Sequence, residues 1–220
     1  LAEKGHFVDI EVAGEKFDAE VRMFKDRAVE HARRGILLID ASFPKAFAAF
    51  AFPAIRPAHL LFGVELDFTN YDLWPPSVTF TDPLTREPWP NGAVSPVQVI
   101  IPGTAKPQPL FLRYRPDPNN QGHFILEQPV ICQGQQGPAF LCMRGVREYH
   151  EHPAHSGDSW LQYRGSGIGT LFYVLDKIHE YSIAHLGGMQ IGLSYVSAGP
   201  PQAFIVNAAN PAAIQAGEAQ

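Results

Sequence analysis

The chain has 220 residues, 45% of them apolar, and a formal net charge of −5. That is enough for one buried core, and with no basic run longer than Arg33-Arg34 nothing draws the chain to a nucleic-acid backbone or an anionic membrane. Two cysteines, Cys132 and Cys142, are too few for a disulfide framework and predict a reducing, cytoplasmic setting.

In chain order, Phe17, Val21, Phe24 and Ala28 recur every three to four residues, which predicts an amphipathic helix over 15–34, stopped by Gly35. Next come GILLIDASF (35–43), AFAAFAF (46–52) and HLLFGVELDF (59–68), apolar runs separated by Pro-containing breaks, which predict three sequential antiparallel strands. Pro53 interrupts the longest apolar stretch well short of the roughly 20 residues that span a bilayer. Without a membrane-length apolar run a soluble protein is expected, and the opening LAEKGHFVDI shows no basic-then-apolar pattern of a secretory signal.

In YDLWPPSVTFTDP (71–83), Pro75-Pro76 forbids helix and leads into a strand, SVTF (77–80). Residues 84–123 form a proline-rich excursion, punctuated by Pro88, Pro90, Pro102, Pro107, Pro109, Pro116 and Pro118, with two strand candidates, VQVIIP (97–102) and LFLRY (110–114). A loop that long is either a functional cover or holds an extra hairpin. GTLFYVLDKIHEYS (169–182) places Leu171, Val174, Leu175 and Ile178 on one helical face behind a Thr170 N-cap. MQIGLSYVS (189–197) reads as a last strand, and 207–220 as a flexible tail. The order predicts a single α+β domain over 1–206, an antiparallel strand meander covered by helices.

YDLWPPSVTF resembles the Tyr-Pro-x-x-Pro-Pro-x-Val-x-Phe signature of ubiquitin-conjugating (E2) and RWD-type domains, with Pro75, Pro76, Val78 and Phe80 matching and Asp72 where that family has its first proline. FLCMRGV (140–146) is similar to the segment that carries the E2 thioester cysteine, and SWLQYRGSGIGTLFYVLDKI (159–178) to the Trp-containing stretch before the next helix. The E2 His-Pro-Asn triplet is reduced to Gln128-Pro129-Val130, without the asparagine that helps to hold an oxyanion. Seventeen residues separate Cys142 from Trp160, more than the family's usual spacing, and the extra length is a His-rich insertion at 147–158, REYHEHPAHSGD.

That insertion resembles the predicted metal-binding "CEHH" proteins of bacterial ubiquitin-like conjugation operons, with Cys142, Glu148, His150, His152 and His155 supplying the residue types in order. The two resemblances together imply an E2/UBC-like fold and a zinc-binding accessory component of a bacterial ubiquitin-like conjugation system, with ubiquitin-like and E1-like or E2-like protein partners and a role in antiviral defence as one expectation. No nucleic acid or membrane partner is expected.

Thiolate, imidazole and carboxylate in C-x5-E-x-H-x-H-x2-H suit a tetrahedral zinc ion better than magnesium or calcium. The preferred ligands are Cys142, Glu148, His152 and His155, with His150 as substitute and Asp158 as an acceptor that orients an imidazole. An extended backbone would point His150 and His152 to the same side, and a curl after Pro153 would bring His152 toward His155. The bland reading makes these surface histidines and Cys142 a small buried hydrophobe.

Two other chemistries compete for the same residues. Cys142 could be a nucleophile activated by imidazoles or by Arg144 and Arg147, giving a thioester carrier or a cysteine hydrolase. A metal-dependent hydrolase would use Glu148 or Glu151 as general base, although HEHPAH is not H-E-x-x-H and Pro153 opposes the helix that motif needs. Cys132 reads as a core cysteine, a further ligand or a disulfide partner. His179 and His185 read as surface histidines, GSGIGT (165–170) as a helix-entry turn, and Trp74 and Trp89 as either a partner patch or packing for the prolines.

Overall fold

The computed structural model describes residues 7–54, 57–93, 95, 97–100, 108–120, 124–132, 137–184, 186, 190–194 and 202–206. His185 and the tail at 207–220 lie outside them, as do the ends of the strands expected at 97–102 and 189–197.

Helix α1 runs Ile10–Lys25, five residues earlier than its apolar spacing announced, because the Asp9 carboxylate accepts from the Glu11 and Val12 N–H groups and satisfies two of the free donors at the helix start. It buries Ala13, Phe17, Val21 and Phe24. The helix does not continue to Arg34. It breaks at Asp26-Arg27, and a separate short helix, α2 (Ala28–Arg33), turns so that His31 is buried and Ala28 is exposed. Gly35 ends it at φ +87°, where a Cβ would stand 1.9 Å from the Ala51 carbonyl oxygen.

Four strands follow: β1 (Ile36–Ser42), β2 (Lys45–Phe52), β3 (His59–Asp67) and β4 (Ser77–Thr81). They form one antiparallel sheet in the order β1-β2-β3-β4, with Phe50 opposite Phe62 and Val64 opposite Phe80. The meander is therefore as its apolar and aromatic runs predict. Seven of the eight residues of β2 are buried, so both faces of this central strand are covered. On one face Phe17, Val21 and Phe24 of α1 share a core with Ala46, Ala48, Phe50 and Phe52, and with Leu171, Val174, Leu175 and Ile178 of a later helix, α4 (Leu171–Ser182). Thr170 caps α4 by accepting from the Tyr173 N–H at 3.2 Å. Phe62, Phe80, Trp89 and Phe111 form an aromatic cluster, with Phe80 and Trp89 stacked at 4.8 Å.

The proline-rich excursion supplies Trp89 and Phe111 to that cluster, so it packs into the core. Its described part holds β5 (Gln98–Ile100), β6 (Gln108–Pro109) and β7 (Arg113–Pro116). Leu110, Phe111 and Leu112 are fully buried yet are not strand, contrary to the pattern of LFLRY. The Leu110 N–H donates to the Val97 carbonyl and the Leu112 N–H to the Tyr181 carbonyl in α4, so this buried backbone is satisfied without a ladder. Strand β7 pairs with β8 (Phe124–Glu127), and β9 (Val130–Cys132) pairs with β10 (Ala139–Leu141). A short helix α3 (Arg147–Glu151) precedes α4, while β11 (Gln190–Ser194) and β12 (Gln202–Val206) join β5 and β6 in a second four-stranded sheet. Among the described residues no helix is long and apolar enough to cross a membrane.

Candidate functional site

Cys142 follows β10 directly, and its N–H donates to the Pro129 carbonyl at 2.7 Å, which extends the β9–β10 pairing by one step. Cys132, opposite Ala139, is thus three residues further along the neighbouring strand. At about 3.3 Å per residue that is roughly 10 Å, too far for a disulfide. Both cysteines are free and half-buried, and burial pushes both thiols up.

Past Cys142 the chain turns through Gly145, at φ +88°, into α3. Arg147, only 4% exposed, locks that helix in place. Its Nε donates to the Pro75 carbonyl (3.2 Å) and its Nη2 to the Thr69 and Asp67 carbonyls (2.8 and 3.3 Å). The expectation that Arg147 activates Cys142 is corrected: its guanidinium is spent on the β3–β4 connection, over the Trp74 ring. Arg144 likewise turns to Asp158, with Nε 2.9 Å from Oδ2.

The structure separates the sequence-predicted ligands. Glu148 points to the head of β4, where its carboxylate accepts from the Ser77 hydroxyl and, at 3.3 Å, from the Val78 N–H. Burial raises its pKa against those hydrogen bonds. His150 has both ring nitrogens engaged: Nδ1 donates to the Asp158 carbonyl at 2.8 Å, which leaves Nε2 to accept from the Gly145 N–H at 3.1 Å. It keeps no lone pair for a cation. His152 is the C-terminal cap of α3, because Pro153 ends the helix, and its Nδ1 accepts from the Ala154 N–H at 3.2 Å while its ring stacks on Phe140. His150 and His152 thus leave helical and capping positions and do not line one side of an extended strand.

His155 is the residue that meets the sulfur. A single 3-10 turn, Pro153–His155, swings it back so that Nε2 lies 3.3 Å from Cys142 Sγ. Its ring stacks on Tyr149 at 3.9 Å with planes 22° apart. The Tyr149 hydroxyl donates to Asp158 Oδ2 at 2.7 Å, and Tyr163 donates to the other carboxylate oxygen. The hydrogen bonds from Tyr163, Tyr149 and Arg144 hold the Asp158 carboxyl well below the usual carboxylate range. Sequence reasoning overlooked Tyr149 and Tyr163; their signal was their spacing from Asp158 within the same run.

Of the five residues named as metal ligands, therefore, Cys142 and His155 come together, Glu148 and His150 are consumed by other partners, and His152 caps α3 with its ring against Phe140. Among the described residues no group of three or more His, Cys, Asp or Glu side chains is arranged to hold a metal ion. The donor set does not fit a zinc ion as it stands, so no chemistry below is routed through one.

Behind the site, Gly145 and Gly169 meet backbone to backbone under Trp160. A Cβ on Gly145 would stand 2.6 Å from the Gly169 nitrogen, and one on Gly169 would stand 2.7 Å from Trp160 Cη2. Both have positive φ, +88° and +79°. Gly145→Ala and Gly169→Ala are each expected to cost about 1–2 kcal/mol in backbone strain, read as a lowered denaturant midpoint. A variant as stable as the parent would show that this contact is loose.

A family model described as Y4jH-like, the Y4jH family, matches residues 8–186. The protein "Uncharacterized protein y4jH" of Sinorhizobium fredii (strain NBRC 101917 / NGR234) is 40% identical over 204 residues, covering 90% of this chain and 96% of that relative. The matched span takes in α1, the meander, the Cys142–His155 pair and α4, and the chain belongs to the Y4jH family.

Proposed function

We propose that the protein is a covalent carrier on an E2-like scaffold, which takes the activated C-terminus of a ubiquitin-like protein as a thioester on Cys142 within a bacterial ubiquitin-like conjugation system. The observation that carries this reading is the 3.3 Å approach of Cys142 Sγ to His155 Nε2. A half-buried thiol whose pKa burial raises is a poor nucleophile unless a base lies within reach of its proton. His155 is that base. Support for the scaffold comes from the order of elements: a helix, a four-stranded antiparallel meander, Pro75-Pro76 at the entry to β4, a cysteine beyond, then α4.

In the reaction, the Cys142 proton passes to His155 Nε2 as Sγ attacks the carbonyl carbon of a partner's thioester. The new C–S bond forms on Cys142, the old C–S bond breaks, and the departing thiolate regains a proton from His155. By the resemblance of Gln128-Pro129-Val130 to the E2 triplet, the fully buried Val130 replaces the oxyanion-holding asparagine. Onward transfer from Cys142 is therefore expected to be slow, and the thioester to accumulate.

Cys132 is an internal control, because it is a second free, half-buried thiol whose pKa burial also raises. With a peptide ending in Gly-Gly thioester as probe, a thiol-labile adduct should form on Cys142 and not on Cys132. Cys142→Ala should abolish it, and His155→Ala should slow it by about 100-fold, the usual contribution of a general base. Equal labelling of the two cysteines, or stoichiometric zinc that is lost in Cys142→Ala, would sink the carrier reading. The zinc result would return Cys142 to the role of a metal ligand.

A further inference from the structure

We infer that Tyr149, anchored by Asp158, is the positioning residue of the Cys142–His155 pair; this rests on the carrier reading for its consequence and on geometry for its existence. His155 ends a three-residue 3-10 turn and is half-buried, so its backbone alone leaves the ring free to rotate. A ring that turns away from Sγ cannot take its proton. The flat surface that fixes the ring is Tyr149, 3.9 Å away and nearly parallel, whereas His152 is tilted by 51° at 5.7 Å.

Tyr149 is itself held at both ends. Its backbone belongs to α3, which Arg147 pins to the β3–β4 connection. Its hydroxyl donates to Asp158, whose carboxylate also receives Arg144 and Tyr163, and the Asp158 N–H donates to the His155 carbonyl at 3.1 Å. Asp158 thus takes the orienting place that the third member of a nucleophile–base–carboxylate triad holds, but acts through a stacked tyrosine. The His155 ring and the Asp158 carboxylate share no hydrogen bond in this arrangement; the tyrosine ring transmits the constraint.

The test compares full-length Tyr149→Phe, Tyr149→Leu and Asp158→Asn with the parent by two readouts. In histidine-labelled protein, ring-current shielding from Tyr149 should move the His155 ring-proton resonances upfield. The shift should weaken in both Tyr149→Phe and Asp158→Asn, which each break the hydroxyl–carboxylate anchor, and vanish in Tyr149→Leu. The rate of Cys142 adduct formation with the Gly-Gly peptide thioester should fall about 10–100-fold in Tyr149→Leu, as misplacement of a reacting group does, and by less in Tyr149→Phe, which keeps the stacked ring and loses its anchor. Near-ultraviolet circular dichroism checks that each variant folds, and the weakened shielding in Tyr149→Phe and Asp158→Asn decides the matter if the Leu variant does not fold.

An unshielded His155 in the parent, or a Leu variant that reacts at the parental rate, would overturn the assignment. If the parent forms no thioester, the carrier reading fails by itself, while the shielding and its response to Tyr149→Leu still decide the positioning.

Discussion

Arg147→Ala is expected to lower the free energy of unfolding by about 3–5 kcal/mol and to release the loop that carries His155. Arg147 is 4% exposed, and its guanidinium gives charged hydrogen bonds to three main-chain carbonyls, those of Asp67, Thr69 and Pro75. Truncation leaves the buried Pro75 carbonyl and the part-buried Asp67 and Thr69 carbonyls without this donor, at up to about 1–3 kcal/mol each and less than additively. The Arg147 N–H still reaches the Pro76 carbonyl at 2.9 Å, and Glu148 still holds Ser77 and Val78, so α3 loses its strongest attachment but not every one. Arg147→Lys should fall between, because a compact ammonium cannot serve three acceptors in a fork. Urea midpoints measure the loss, and amide exchange over 142–158 locates it. Arg144→Ala, on the exposed side of the same loop, should change the midpoint little. If Arg147→Ala unfolds within 0.5 kcal/mol of the parent, as an ordinary surface substitution would, the buried fork contributes nothing.

Those attachments explain what a linear reading could and could not see. The meander was legible because each strand is a local run of apolar and aromatic residues ended by a proline or a polar turn, and Thr170 with the spacing of α4 was legible for the same reason. The buried LFL at 110–112 misled because apolarity reports burial and says nothing of whether the backbone donors go to a ladder or to single carbonyls. Ala28 misled because a helix period carries on through a break that the sequence does not mark, and His31 takes the inward place. His179, read as a surface histidine, is 8% exposed.

At the site the sequence picked out the right segment, and Cys142 and His155 within it, but not which donors are already spent. Glu148 goes to Ser77, 71 residues away, and Arg147 to Thr69, 78 residues away. His150 is used up by two main-chain groups that only the folded turn at Gly145 and Asp158 brings near. Residue types advertise five ligands; tertiary contacts leave a pair.

Acidification offers the second large effect, and it acts from behind the site. His179 on α4 accepts through Nδ1 from Arg34 Nη2, 3.2 Å away, and since arginine can only donate, the ring must be neutral at that nitrogen. Burial, and then the Arg34 charge, depress its pKa to about 4, with Asp176, itself 2.6 Å from Arg34, opposing them. His31, stacked on Phe24 with both ring nitrogens buried and unpartnered, is lowered as well, chiefly by burial. Between pH 6.5 and pH 4 the unfolded chain therefore binds protons that the folded chain refuses, so stability from these groups is complete above pH 6.5 and is lost as the pH falls toward 4. For His179 the loss approaches about 3 kcal/mol, the ordinary 6.5 less 4 at 1.36 kcal/mol per unit. Glu20 and Glu148, whose pKa values burial raises, pull the other way at the acid end of this window, so the parent's curve alone does not isolate the histidine. The measurement that does is the difference between the parent and His179→Gln, which keeps an acceptor for Arg34 but cannot titrate. That difference should shift in favour of the variant by about 3 kcal/mol from pH 7 to pH 4. Parallel curves would mean that His179 is protonated in the fold without penalty. Because the first turn of α4 begins just past Gly169, against which Gly145 packs, an α4 loosened by acid should also loosen the turn that places Cys142 beside His155, and adduct formation in the parent should fall with stability over the same window.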